Sequence, residues 1–323
     1  MADIISIATD KDRALRRACE TLSAGDVIGL PTETVYGLAG DATNGVAVAA
    51  IFEAKGRPRF NPLICHMASI DMARRYVRFD AMSERLAAAF WPGPLTLVLP
   101  LIADSGIASL TTAGLDTLAV RVPSGFSREL IGAFDRPLAA PSANTSGRIS
   151  PTSAAHVEAD IGSKVPLILD AGPARVGLES TIVKVEGQRA VLLRPGGVAA
   201  EDIEAVLSTQ LARTEGPAAI EAPGMMASHY APLAAVRLNV DAVAQDEVLI
   251  DFADQPVRGK ERAVAVIDLS PSGRLGEAAA GLFDAMKRAD AMGAGSIAFA
   301  PIPVHGLGEA INDRIRRAAA PRS

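Results

Sequence analysis

Val27-Ile28-Gly29-Leu30-Pro31-Thr32-Glu33-Thr34-Val35-Tyr36-Gly37-Leu38 runs four apolar or small residues straight into a loop of hydroxyls, an acid and a tyrosine. The apolar run is too short for a helix and shows no polar face, which predicts a short buried strand. Binding groups collect at the exits of such strands, because the strand holds the loop in place. An N-cap or a serine/threonine turn accounts for one threonine here. It does not account for Glu33, Tyr36 and a second threonine beside it.

Working outward, residues 10–22 read as a helix, since Ala14, Leu15, Ala18 and Leu22 recur at helical spacing. Residues 44–55 read as another, with Val48, Ile51 and Phe52 as its stripe and Gly56 and Pro58 as its stop. Strands are expected at 63–66, 95–99, 118–122, 138–140, 167–169, 181–185 and 190–193, and helices at 82–90, 127–134, 153–161 and 200–211. The two kinds do not alternate strictly, so a mixed α/β sheet with some antiparallel pairs fits better than a doubly wound one. Residues 214–233 carry Pro217, Pro223 and Pro232 without usable periodicity and read as a linker. Beyond it, strands at 248–252, 263–268 and 296–300 and helices at 276–292 and 308–319 make a small α/β domain. The expected division is 1–212, an ordered linker at 213–235, and 236–323.

Composition removes several function classes. Hydrophobic residues make up 49% of the 323 residues and charged ones 21%, which excludes a disordered chain. Aromatic residues are only 4%, too few to offer a stacking platform for single-stranded RNA, and alanine and valine carry the core instead. The formal charge of −5, shared by both halves, argues against a nucleic-acid binder by global charge. Cys19 and Cys65 cannot build a disulfide framework, and no C-x-x-C pair suggests structural zinc. The first twenty residues hold an acid at Asp3 and no sustained apolar run, so neither a signal peptide nor a membrane anchor is expected, and the cytoplasm is the expected location.

Chemistry gathers in three loops, with none of the usual P-loop, dinucleotide, zinc-protease or serine-hydrolase signatures present. The first is the 31–38 loop. The second, Lys55-Gly56-Arg57-Pro58-Arg59-Phe60-Asn61, fixes the backbone with Gly and Pro while cations project from it, as a triphosphate site requires. A solvated cation cluster at a helix end is the alternative. The third, from Ala140 to Thr152, is rich in hydroxyls and small residues that let backbone N–H groups approach phosphate and ribose, with an ordinary Ser/Asn/Gly turn as its alternative. His66 closes a buried strand and either faces a pocket or is a satisfied core histidine, and His156 reads as helix surface. The histidines show no metal-ligand spacing, which leaves any metal as Mg²⁺ arriving on a nucleotide.

The motifs PTETVYGL (31–38), KGRP (55–58), NPL (61–63), WPGPLT (91–96), AVRVP (119–123), APSAN (140–144), SPT (150–152), LEST (178–181), LRPG (193–196), APGM (222–225), HYAP (229–232) and GLGEAINDR (306–314) follow in order. In them the chain resembles the YrdC/Sua-type threonylcarbamoyl-adenylate synthase family in its two-domain form. The resemblance implies a YrdC-like mixed α/β catalytic domain with a concave cavity, and a small Rossmann-like C-terminal domain. It implies a nucleotidyltransferase that makes threonylcarbamoyl-adenylate from L-threonine, bicarbonate and ATP for tRNA modification. By matching positions, Lys55, Arg57, Ser142 and Asn144 surround the nucleotide phosphates, and Asn61, Thr117, Ser150, Arg194 and Tyr230 make further ATP contacts. Thr34, His66, Arg121, the backbone at Ala140, and Ser180 match the L-threonine positions. A downstream transferase would receive the adenylate.

Two rivals follow from the same likeness. One is a tRNA- or double-stranded-RNA-binding module, which the acidic balance disfavours as the main activity. The other is the carbamoyl-transfer domain of hydrogenase maturation, whose larger chain carries zinc-finger and acylphosphatase-like parts with no counterpart in these residues. The segment from Ala222 to Pro232 is too rich in apolar and aromatic groups for a tether, and with Met225, Met226 and Tyr230 it is expected to be a lid over bound nucleotide.

Overall fold

The computed structural model describes residues 2–187, 189–213, 221–224 and 228–321. Met225 and Met226 lie outside these residues. The larger sheet is built from β1 (Asp3–Ser6), β2 (Ile28–Leu30), β3 (Gly37–Asp41), β4 (Ile64–His66), β5 (Leu95–Pro100), β6 (Thr117–Arg121), β7 (Leu138–Ala139), β8 (Leu167–Asp170), β9 (Thr181–Glu186), β10 (Arg189–Arg194) and β11 (Ala212–Arg213). Among the described residues its order is β1-β8-β2-β3-β7-β4-β6-β5-β9-β10-β11. Parallel pairs (β4 with β6, β5 with β9) occur beside antiparallel ones (β2 with β3, β4 with β7, β5 with β6), so the sheet is mixed, as the uneven alternation of elements predicts.

The local reasons are legible. Asp10 caps the helix Lys11–Ser23 by accepting from the Arg13 N–H, and Ala14, Ala18 and Leu22 form its buried stripe. Asn44 caps the helix Gly45–Lys55, and Gly56 ends it in the left-handed conformation that glycine adopts without strain. The helix at Ala200–Leu207 stops four residues short of the expected end, because Ser208 turns left-handed there. Strands β1, β3, β11 and, in a second sheet, β12 (Ala235–Arg237) fall outside the expected set. Strand β1 is an edge strand with a single buried residue, and β3, Gly-Leu-Ala-Gly-Asp, has no β-branched residue and becomes a strand through its pairing with β2.

The second sheet opens at β12 (Ala235–Arg237) and adds β13 (Glu247–Asp251), β14 (Ala265–Asp268) and β15 (Ser296–Phe299) in the all-parallel order β12-β15-β13-β14. The helices Leu275–Ala291 and Leu307–Ala319 cover it. Its apolar core takes in Val35, Ile149 and Leu178 of the first domain together with Tyr230. The two domains therefore share a core beside the polar loops. His156, expected at a helix surface, is half-buried against the helix Leu275–Ala291 of the second domain, its Nε2 3.5 Å from Asp284. No helix among the described residues is long and apolar enough to cross a membrane.

Candidate active site

A cavity opens where β4 and β6 end, and parallel pairing sets His66 beside Arg121 in register. Both side chains are buried. Burial, and then the neighbouring guanidinium, bring the His66 imidazole down to about 3, so it is neutral at ordinary pH. Its Nδ1 is buried without a hydrogen-bond partner among the described residues, and the ring is part of the cavity wall. The pocket-facing alternative for His66 therefore holds.

Arg121 donates from Nε to the Gly93 carbonyl at 3.1 Å and from Nη1 to Thr34 Oγ1 at 2.9 Å. Its Nη2 lies 2.7 Å from Glu33 Oε1 in an ion pair buried on both sides. Thr32 supplies the turn: its hydroxyl accepts from the Thr34 and Val35 N–H groups and donates to the Val35 carbonyl. Tyr36 is a strut, its hydroxyl donating to the Gly172 carbonyl at 2.7 Å. The polar residues of the loop thus divide the work, with Thr32 making the turn, Tyr36 bracing it, and Glu33 and Thr34 holding Arg121.

In the cation loop Lys55 and Arg57 are buried, while Arg59 is solvated surface. Lys55 is 2% exposed, and its Nζ donates to the carbonyls of Ser142 and Asn144, each at 2.6 Å. Burial lowers its pKa well below that of a free lysine, with Arg57 adding to the effect. Lys55 therefore stitches the 140–152 loop to the helix end from behind the cavity wall. Asn144 stitches the same loop, its Nδ2 donating to the carbonyls of Thr145 and Arg148. Arg57 does face the cavity while donating to the carbonyls of Asn61 and Pro62, and burial, then Arg194, bring it down to about 9. Arg194 is also part of the wall, donating to the Ser180 carbonyl at 2.9 Å and to the Pro223 carbonyl at 3.2 Å.

Of the residues singled out from sequence, Thr34, Arg57, His66, Arg121, Ala140, Ser142, Ser180, Arg194 and Tyr230 share the wall of this cavity. Lys55, Asn61, Asn144 and Ser150 are buried just outside it, and Thr117 stands at the start of β6, the strand that ends at Arg121. Sequence reasoning missed Glu179 and gave His229 no role, though both line the cavity. Glu179 accepts from the Ser150 hydroxyl at 2.5 Å and from Arg314 Nε at 2.8 Å. The signal was present in LEST and GLGEAINDR, but nothing in the spacing pairs residues 135 positions apart. The described part of the linker, Pro223, Gly224, His229 and Tyr230, also forms wall.

A family model described as telomere recombination, named for Sua5, YciO and YrdC proteins, matches residues 20–196. The chain belongs to the Sua5/YciO/YrdC family. A second model, described as the C-terminal domain of threonylcarbamoyl-AMP synthase, matches residues 198–320 and marks the two-domain Sua5 form. Among Sua5-type relatives, the threonylcarbamoyl-AMP synthase of Pyrococcus abyssi is 40% identical over 325 residues, covering 95% of this chain and 94% of its own. That of Bacillus subtilis is 36% identical, covering 99% and 97%. The crystal structure of P. abyssi Sua5 complexed with L-threonine superposes with a TM-score of 0.87 at 35% identity, covering 99% of this chain and 97% of that one.

Proposed function

We propose that this Sua5-family chain is an L-threonylcarbamoyladenylate synthase, forming threonylcarbamoyl-AMP and pyrophosphate from L-threonine, bicarbonate and ATP. The observation that carries the proposal is the cavity itself, whose wall brings Arg121, Thr34 and His66 together with Arg57 and Arg194. The full-length Sua5 relatives and the L-threonine bound in one of them support the same reading.

In this assignment L-threonine occupies the Arg121–Thr34–His66 corner, its carboxylate on Arg121 and Thr34, with His66, the Ala140 backbone and Ser180 around the rest. The amine nitrogen bonds to the carbon of bicarbonate and water leaves, giving a carbamate. A carbamate oxygen then attacks the α-phosphorus of ATP, the bond to the β-phosphate oxygen breaks, and pyrophosphate departs. Carbamate and triphosphate are both anions that repel in solution, so the protein contributes position and positive charge. Arg57 and Arg194 supply that charge at the wall, while Lys55 and Asn144 shape the loop that presents Ser142. Tyr230 adds a nucleotide contact at the wall, and Asn61, Thr117 and Ser150, which stand outside that wall, are assigned to the nucleotide by their matching positions in the family motifs. Mg²⁺ enters the proposal as a companion of the ATP phosphates.

The adenylate passes to a downstream transferase for tRNA modification in the cytoplasm, and tRNA itself is not the primary ligand. Pyrophosphate release measured with each of the three substrates omitted in turn tests the proposal. Release independent of L-threonine or bicarbonate would contradict it.

A further inference from the structure

Glu179 is out of keeping with its surroundings. It is an acid in the wall of a cavity whose other charged side chains, Arg57, Arg121 and Arg194, suit an anion. Burial would raise its pKa, yet Arg314, then Arg194 and the Ser150 hydroxyl, hold it at about 2, so it carries a full negative charge. A bare carboxylate there would oppose phosphate groups across a poorly screened gap.

Its counter-ion comes from the other domain. Arg314, on the helix Leu307–Ala319, is fully buried, with Nε 2.8 Å from Glu179 Oε2 and Nη1 2.6 Å from Asp313. The guanidinium carbon lies 5.1 Å from the centre of the Tyr230 ring. The same helix reaches the cavity wall once more, through the Arg317 carbonyl that accepts from the His229 N–H at 3.2 Å. Arg314 itself does not line the cavity. Docking two domains does not call for a buried ion pair, since well-packed apolar residues of similar volume often dock as well or better. The charge of Arg314 therefore points to the acid it faces.

We propose that Arg314 is a positioning residue for the nucleotide: it neutralises Glu179 and holds that carboxylate against Ser150, so that the ATP site of the first domain depends on the second. This rests on the assignment of ATP to the part of the wall that holds Arg57 and Arg194. Without Arg314, Glu179 is left with the Ser150 hydroxyl and Arg194 alone to balance its charge as it faces the phosphates, whereas Arg121 in the L-threonine corner is held by Glu33, Thr34 and Gly93.

The test is calorimetry of the full-length chain with ATP and, separately, with L-threonine, alongside circular dichroism. Arg314→Met is expected to weaken ATP binding by about tenfold or more and L-threonine binding by less than about threefold, and adding Glu179→Gln to it is expected to return ATP binding to within about threefold of wild type. Gln keeps an acceptor for Ser150 and removes the charge, so this rescue is something a merely structural contact would not give. ATP binding unchanged in Arg314→Met, or equal loss of both ligands without rescue, would overturn the proposal. The double variant removes both charges of the Arg314–Glu179 pair while Asp313 keeps Arg317, and it decides the matter if Arg314→Met alone does not fold: weak ATP binding by the folded double variant also overturns it. Failure of the wild-type chain to bind ATP would be a different result, striking the nucleotide assignment itself.

Discussion

Glu33 and Arg121 form an ion pair sealed inside the cavity floor, 2.7 Å apart and each at most 4% exposed at the side chain. The pair gives Arg121 a structural role in addition to the carboxylate-binding one. The two roles separate by mutation. Arg121→Ala strands a buried carboxylate and should cost about 3–5 kcal/mol of stability, as breaking a buried pair from one side does. Arg121→Ala with Glu33→Gln should recover most of that stability and still fail to bind L-threonine, while ATP binding persists. Recovery of L-threonine affinity in the double variant would reduce Arg121 to a structural ion pair.

The neutral buried histidines fix a pH dependence. His66 and His229 each lie at about 3, held there chiefly by burial, against an ordinary value of 6.5. Their folded-state pKa is depressed, so the unfolded chain binds the extra protons as pH falls through 6.5. Stability is full above that value and is lost progressively towards 3. Between pH 6.5 and 5 each histidine should cost up to about 2 kcal/mol. Urea unfolding at pH 7 and pH 5 checks this, and His66→Asn should show a smaller loss than wild type. An identical loss in the variant would mean that His66 is not the group being protonated.

Lys55 is expected to matter twice. Its two charge-assisted bonds to the Ser142 and Asn144 carbonyls tie down the 140–152 loop, and each such bond contributes about 1.5–3 kcal/mol. Lys55→Ala should therefore lower the thermal midpoint as well as slow adenylate formation. Arg57→Ala should slow adenylate formation by on the order of a hundredfold, as the loss of one contact to a developing charge does. A Lys55→Ala chain with wild-type melting and wild-type turnover would return the loop to the solvated-surface reading.

Gly224 marks the place where the linker meets the cavity. Its φ is +81°, and a Cβ there would lie 2.9 Å from Arg194 Cδ and 3.1 Å from the Tyr230 hydroxyl. Gly224→Val should push both side chains and cut ATP binding and adenylate yield, with little change at the L-threonine corner. Unchanged ATP affinity would argue that the segment is a tether and not a lid.

The sequence carries the elements that announce themselves locally. The apolar stripe of the 44–55 helix, its Gly56 stop and the β2 run into its polar loop are all read from neighbouring residues. What it hides are relationships made by tertiary pairing. Strand β3 has the composition of a loop and becomes a strand only beside β2, and Ser208 ends a helix whose apolar pattern continues past it. The register that sets His66 beside Arg121 joins two strands that lie far apart in the chain. The Glu179–Arg314 pair spans two domains, and nothing local joins the two motifs, LEST and GLGEAINDR, that hold its members. Lys55 and Asn144 illustrate the same limit: the residue types are legible, yet their bonds to backbone carbonyls behind the wall are not.

The central claim is best tested by following labelled bicarbonate. With ATP and L-threonine present, the label should appear in an adenylate whose mass equals threonylcarbamoyl-AMP, in step with pyrophosphate, and removing L-threonine should abolish both. Pyrophosphate formed with no label in the nucleotide product, or no product when all three substrates are supplied, would contradict the account.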